Sequence, residues 1–186
     1  MEFSILYAIQ NLHCNWLDNV ILTMTHLMGD YGQIWLIAAA VLLLFKATRK
    51  TGLCVLLSYG IVFAVGQYVL KDLIARARPC HIDETVQLLI SRPSSYSCPS
   101  THTGWAFAAA FSIFLNHRKT DKIAGIAALI AASAVGFSRM YLFVHFPTDV
   151  LFGVVLGMLA AIGAYALLNI KFKRPMSKVS QANKAL

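Results

Sequence analysis

The sequence predicts an all-helical bundle that crosses a membrane several times, and three observations predict it. The 186-residue chain is 58% hydrophobic and 13% charged, about half the charge of an ordinary soluble domain, which would lack groups to cover its surface. Apolar residues gather into five long segments, roughly 31–45, 52–70, 103–115, 123–137 and 150–170. Basic residues collect between these segments in an alternating way, as positive-inside topology requires. Together these features argue against a cytosolic enzyme and against disorder. The expected architecture is about six transmembrane helices, with residues 1–175 forming one integral-membrane domain and 176–186 a polar cytoplasmic tail.

Residues 1–28 are the least regular part. Phe3, Ile5, Leu6, Ile9 and Leu12 recur at helical spacing, followed by Leu17, Val20, Ile21, Met24 and Leu27, with Asn11, His13, Asn15, Asp18 and Asn19 between them. The pattern predicts an interfacial amphipathic helix leading into a first membrane helix. No Lys or Arg precedes Lys46, so the basic start of a signal peptide is missing. The five apolar segments are each read as membrane helices, the shorter ones extended by flanking residues toward the usual 20 or so. In the last segment Gly153, Gly157 and Ala161 recur every four residues, a pattern that close helix packing explains. Tyr31, Trp35, Trp105, Tyr141, Phe143 and Phe146 fall near helix ends, where an interfacial belt accounts for most of them.

The net charge of +8 divides into two populations. Eleven of the sixteen cations lie in the loop 46–51, the loop 116–122 and the tail, all on one side if the segments alternate. That side is predicted to be cytoplasmic, in a multi-pass protein of the plasma (inner) membrane. The excess therefore points to topology, and nucleic acid is not an expected partner. Lys71, Arg76, Arg78, Arg92 and Arg139 fall on the opposite, outer side and need another reason to be there.

Three motifs share that outer side, each where a helix meets a loop. They are Lys71 and, after six intervening residues, Arg78-Pro79, then Pro99-Ser100-Thr101-His102, then Ser138-Arg139 with His145 and Asp149 beyond. Three fixed cations near water form an anion site, in which arginine matches phosphate oxygens two at a time and lysine acts as a point charge. Ser100 follows a proline at the start of a helix, where it would cap the helix beside N–H groups suited to phosphate. Two histidines beside a phosphate can divide the work, one attacking phosphorus and the other protonating the leaving oxygen. Asp149, four residues after His145, can accept the other ring proton. This chemistry is phosphoryl transfer through a phosphohistidine, followed by hydrolysis. A lone lysine at a helix end often only snorkels, and a His-x3-Asp pair also occurs in helix caps and metal sites. A metal, however, would be repelled by the same three cations.

In order and spacing the three motifs resemble the signature of the type 2 phosphatidic acid phosphatase superfamily: Lys-x6-Arg-Pro, Pro-Ser-Gly-His and Ser-Arg-x5-His-x3-Asp. The resemblance implies the acid phosphatase and vanadium haloperoxidase type of helical core, here in its membrane branch, without a required metal or other cofactor. It implies His145 as nucleophile, Asp149 as its partner and His102 as general acid, with Lys71, Arg78, Ser100 and Arg139 binding phosphate. Thr101 departs from the pattern, which usually has glycine there. A β-branched residue would be strained at positive φ, so Thr101 is expected in a helical first turn, contributing its backbone N–H to phosphate.

Among short membrane members of that superfamily, the resemblance favours an undecaprenyl pyrophosphate phosphatase acting at the outer face. Phosphatidylglycerophosphate, phosphatidate and lipid A are alternative substrates, and transfer of phosphate to another lipid is an alternative outcome. A transporter is the alternative of a different class; charges gathered at one end of the bundle suit an interfacial reaction better than a path through it. Two further expectations concern the loop between the first two motifs. Cys80 and Cys98 abut those motifs on the oxidising side, so a disulfide is expected to tether them, contributing about 3 kcal/mol by chain entropy. The run Val86–Ile90 is expected as a short helix on the lipid surface. Cys54 reads as a packed core residue.

Overall fold

The computed structural model describes residues 1–115 and 119–172, and among these there is helix and no strand. The elements are α1 (Glu2–Gln10), α2 (Asn15–Met28), α3 (Gln33–Leu44), α4 (Arg49–Ile61), a π-helical stretch (Val62–Leu70), α5 (Lys71–Ile74), α6 (Pro79–Ile82), α7 (Thr101–Phe114), α8 (Lys119–Tyr141) and α9 (Pro147–Phe172). The expected tail 176–186 lies outside the described residues.

The centre of the bundle is α7, packed between α8, α9 and α4. Its sequence explains the position: Gly104, Ala106, Ala108, Ala109, Ala110 and Ser112 are small and buried, so neighbouring backbones approach closely. The glycine repeat of α9 is the other half of this contact. A Cβ at Gly153 would meet the Ser100 carbonyl oxygen, and one at Gly157 the Gly104 carbonyl oxygen. The outer faces carry exposed Ile37, Val41, Leu44, Leu73, Ile130, Leu151 and Ile170, as a lipid-facing surface does.

Among the described residues, three helical stretches are long and apolar enough to span a bilayer: Arg49–Ile82, Lys122–Tyr141 and Pro147–Ile170. The pair α2 and α3, bent by 57°, forms a fourth if counted as one span. The expected six are therefore not reached by length among the described residues. The first membrane helix and the segment 31–45 are two arms of one bent unit. Gly29 and Gly32 adopt positive φ at the bend, a conformation glycine takes without steric cost. Within residues 1–28, α1 buries Leu6 and Ile9 against Tyr141, Leu142 and Phe143.

Several local features aim residues toward one end of the bundle. The π-helical turns between α4 and α5 close i→i+5 and shift the helical phase of α5, placing Lys71 inward and buried. Ala75, at φ 47°, ends α5, and Phe143, at φ 57°, turns the chain between α8 and His145.

Candidate active site

Lys71, Arg78, Thr101, His102, Arg139 and His145 line a single cavity of about 810 Å³ at that end of the bundle. They arrive from α5, the segment before α6, the first turn of α7, the end of α8 and the turn before α9. Lys71, Arg78, Arg139 and His145 are each less than 5% exposed. The snorkelling alternative for Lys71 is thereby replaced by a place on the cavity wall.

The three cations are held by neutral groups. Arg78 Nε donates to the Ser95 carbonyl oxygen at 2.7 Å, and a terminal nitrogen donates to Ser95 Oγ at 3.0 Å. Its other terminal nitrogen donates to the Val144 carbonyl oxygen at 2.9 Å and lies 3.1 Å from His145 Nε2. Lys71 Nζ donates to Ser95 Oγ at 3.2 Å. Arg139 donates to Ser138 Oγ at 3.1 Å and Thr25 Oγ1 at 2.7 Å. Among the described residues, no carboxylate lies within ion-pair distance of these three cations. Buried unpaired charge is costly, and three such cations on one cavity form a site that an anion completes.

The two histidines are oriented differently. His145 Nε2 receives the Arg78 N–H, which makes it the acceptor nitrogen and leaves the ring proton on Nδ1. That Nδ1 is buried without a hydrogen-bond partner and stands 3.8 Å from Asp149 Oδ2. Burial, with the Arg78 and Lys71 charges adding to it, pushes the His145 imidazole down to about 3. The ring is therefore neutral near pH 7, with the lone pair a nucleophile needs. His102 Nε2 lies 3.2 Å from the Gly29 carbonyl oxygen. Donation to that carbonyl leaves Nδ1 as the nitrogen that can exchange a proton with a ligand.

Asp149 is fully buried and off the cavity wall. Its Oδ2 accepts from Ser97 Oγ at 2.5 Å and the Phe146 N–H at 2.8 Å, and its Oδ1 from Arg76 at 2.7 Å. Ser100 occupies the N-cap position of α7, but its hydroxyl pairs with Thr103 Oγ1 at 2.9 Å and makes no cap bond. It too is fully buried and off the wall. Thr101 is helical and absent from the positive-φ positions, so the departure from glycine brings no backbone strain.

Two expectations are corrected. Cys80 and Cys98 are separate buried thiols. Cys80 packs with Leu6, Ile9 and Tyr141, whereas Cys98 lies beside Asp149, whose charge and hydrogen bond, after burial, push its thiol up to about 11. Residues 86–90 form no helix. Val86, Leu88, Leu89 and Ile90 instead pack on the cluster around Tyr141, and Leu89 and Ile90 reach the cavity wall.

The site also uses residues that no motif indicated: Thr25, Gly29, Arg76, Ser95 and Ser97. Among the described residues no group of three His, Cys, Asp or Glu could hold a metal ion.

A profile for the PAP2 superfamily matches residues 49–173. The chain belongs to the PAP2 superfamily. Curated relatives include an undecaprenyl-diphosphatase of Sulfolobus acidocaldarius, 34% identical over 172 residues, covering 90% of this chain and 80% of that protein. Phosphatidylglycerophosphatase B of Bacillus subtilis is 36% identical over 155 residues, covering 77% and 71%. Among solved structures, a transmembrane PAP2-type phosphatidylglycerolphosphate phosphatase from Bacillus subtilis superposes with a TM-score of 0.73 at 32% identity, covering 92% of this chain and 85% of that one. The chain is thus a multi-pass membrane hydrolase acting on phosphate esters. Thr25 and Gly29 lie outside the residues the PAP2 profile matches.

Proposed function

We propose that this membrane lipid phosphatase hydrolyses undecaprenyl pyrophosphate to undecaprenyl phosphate through a phosphohistidine on His145. The observation that carries the reading is the convergence on one cavity of two histidines and three cations without carboxylate partners. His145 Nε2 attacks the terminal phosphorus, forming an N–P bond as the bridging P–O bond breaks. His102 starts this step with a second proton on Nδ1, its Nε2–H staying on the Gly29 carbonyl, and gives the Nδ1 proton to the bridging oxygen as the lipid monophosphate leaves. Water, losing a proton to His102, then attacks the phosphohistidine; the N–P bond breaks and inorganic phosphate departs. Lys71, Arg78 and Arg139 stabilise the charge on the equatorial oxygens, where fixed donors are most effective. The Thr101 backbone N–H adds a donor from the first turn of α7. The resemblance assigns Ser100 to phosphate binding as well, from the N-cap position of the same turn, where its hydroxyl pairs with Thr103 Oγ1.

The pyrophosphate substrate is supported by the 34% identical relative. Phosphatidylglycerophosphate is the second reading, supported by the 36% identical relative and the superposed structure. The cavity end of the bundle faces the outside, because Lys46, Arg49, Lys50 and Lys122 lie at the other helix ends.

Purified protein in detergent should release phosphate from undecaprenyl pyrophosphate faster than from phosphatidylglycerophosphate, phosphatidate or lipid A. His145→Ala should abolish release, vanadate should inhibit it and a chelator should leave it intact. Release surviving in His145→Ala overturns the phosphohistidine, and a faster rate on another lipid overturns the substrate. Labelling of the Ser91→Cys variant by an impermeant thiol reagent in intact cells, against the unaltered protein, tests the orientation.

A further inference from the structure

Of the five cations that the topology puts on the active-site side, three line the cavity, and Arg92 pairs with Glu84 at 3.3 Å on the surface. Arg76 does neither. The left-handed turn at Ala75 releases it from α5, and its guanidinium lies over the Phe146 ring at 4.1 Å. One terminal nitrogen donates to Asp149 Oδ1 at 2.7 Å and Thr148 Oγ1 at 2.6 Å, the other to Glu2 Oε2 at 2.5 Å. Its carbonyl oxygen accepts the Ser97 N–H at 2.8 Å, and Ser97 Oγ in turn donates to Asp149 Oδ2. Arg76 therefore holds both oxygens of the Asp149 carboxylate, one directly and one through Ser97, while no part of it lines the cavity.

We propose that Arg76 is a positioning residue of this phosphatase, clamping the Asp149 carboxylate so that Oδ2 faces His145 Nδ1. The proposal rests on the role assigned to His145 above. Three consequences give the clamp its purpose. The carboxylate keeps a fixed orientation toward the imidazole. It stays out of the anion site, where Arg78 would otherwise pair with it. Its charge is balanced from behind, so the ring proton remains on Nδ1 and is not transferred to the carboxylate. Glu2 anchors the clamp from α1, accepting also from Thr148 Oγ1 at 2.6 Å, and so ties residue 2 to the first turn of α9.

The titratable and charged groups around the His145–Asp149 pair are Lys71 and Arg78 before α6, His102 on α7, Arg139 on α8, Cys98 and Arg76, with Glu2 behind. Only Arg76 changes in the test. Arg76→Gln should lower kcat about 10- to 100-fold with KM within about threefold, the split expected of a group acting through another. The second readout needs no substrate: 15N resonances of His145 in histidine-labelled protein, followed against pH. Loss of the cation should move the protonation midpoint of His145 upward by about 0.5–1 unit. Arg76→Lys, which keeps the charge, should recover most of both effects. A rise in KM at unchanged kcat would make Arg76 a binding residue. An unmoved midpoint, with Arg76→Lys no better than Arg76→Gln, would make it a structural strut. Either result overturns the proposal. Because the resonance needs no turnover, the clamp can fail while the phosphatase reading stands, and the reverse.

Discussion

His145 Nδ1 stands 3.8 Å from Asp149 Oδ2, buried and without a hydrogen-bond partner. The gap is too long for a hydrogen bond, and a buried donor left unsatisfied costs about 1–3 kcal/mol. Attack by Nε2 on phosphorus turns the ring into an imidazolium-like group, whose Nδ1–H is a far stronger donor. An approach of about 1 Å then completes a charge-assisted bond. The resting pair is in this sense set for the phosphorylated state.

Asp149→Asn should therefore act on the chemical step. The amide preserves the shape of the site but not the charge that stabilises the imidazolium. A loss of about 10²–10⁴ in kcat is expected, by analogy with carboxylates behind other catalytic histidines, with vanadate affinity changed far less. Parallel losses in both would assign Asp149 to phosphate binding.

The depressed His145 titration sets a pH window for stability. The folded ring titrates at about 3, the unfolded one near 6.5. Between these values the unfolded chain binds the extra proton, so stability rises with pH. The contribution is fully present above about 6.5 and is lost as pH falls toward 3. In detergent, the melting temperature of His145→Asn should fall less between pH 7 and pH 4 than that of the unaltered protein. Equal falls would show that the imidazole is not held neutral.

Arg139 should not be replaceable by lysine. Its guanidinium bonds Ser138 and Thr25 while facing the cavity, and an ammonium cannot keep that fork geometry. Loss of one charge-assisted pair is worth about 1.5–3 kcal/mol, or roughly 10- to 100-fold in kcat/KM. Steady-state kinetics of Arg139→Lys on phosphate release measure it, and a loss under twofold would contradict the geometry.

The glycines of α9 should differ sharply among themselves. A Cβ at Gly153 or Gly157 meets a backbone carbonyl of α7, whereas at Gly163 nothing lies within 4 Å. Overpacking of this kind costs about 1–3 kcal/mol, and at Gly153 it presses on Ser100, two residues before His102. Gly153→Ala and Gly157→Ala should lower the melting temperature, Gly153→Ala also lowering kcat. Gly163→Ala should be neutral or stabilising, since alanine is the better helix former.

Much of the site was legible because the motif residues stand at helix ends. Alternation of apolar segments alone predicts Lys71, Arg78, His102, Arg139, His145 and Asp149 at one end of the bundle. The residues that sequence reading passed over carry no such signal. Arg76 lies 73 residues from Asp149 and 74 from Glu2, and Thr25 lies 114 from Arg139. Nothing periodic or local announces those pairs. The 57° bend at Gly29–Gly32, between two expected spans, also carried no signal that the reading used. The expected disulfide failed because nearness to two adjoining motifs does not bring two side chains into one packing cluster.

Hydrophobic length and charge placement act locally along the chain. The amino-acid order was therefore enough to specify the helical membrane architecture, the superfamily and the gathering of the site cations at one end of the bundle. Which group faces which was set by helix packing. Packing turned Ser100 away from the cavity, set Gly29 against His102 and put Arg76 behind Asp149. A buried charge or polar group must find its partners wherever neighbouring elements supply them, and contact between distant helices leaves no local mark in the chain.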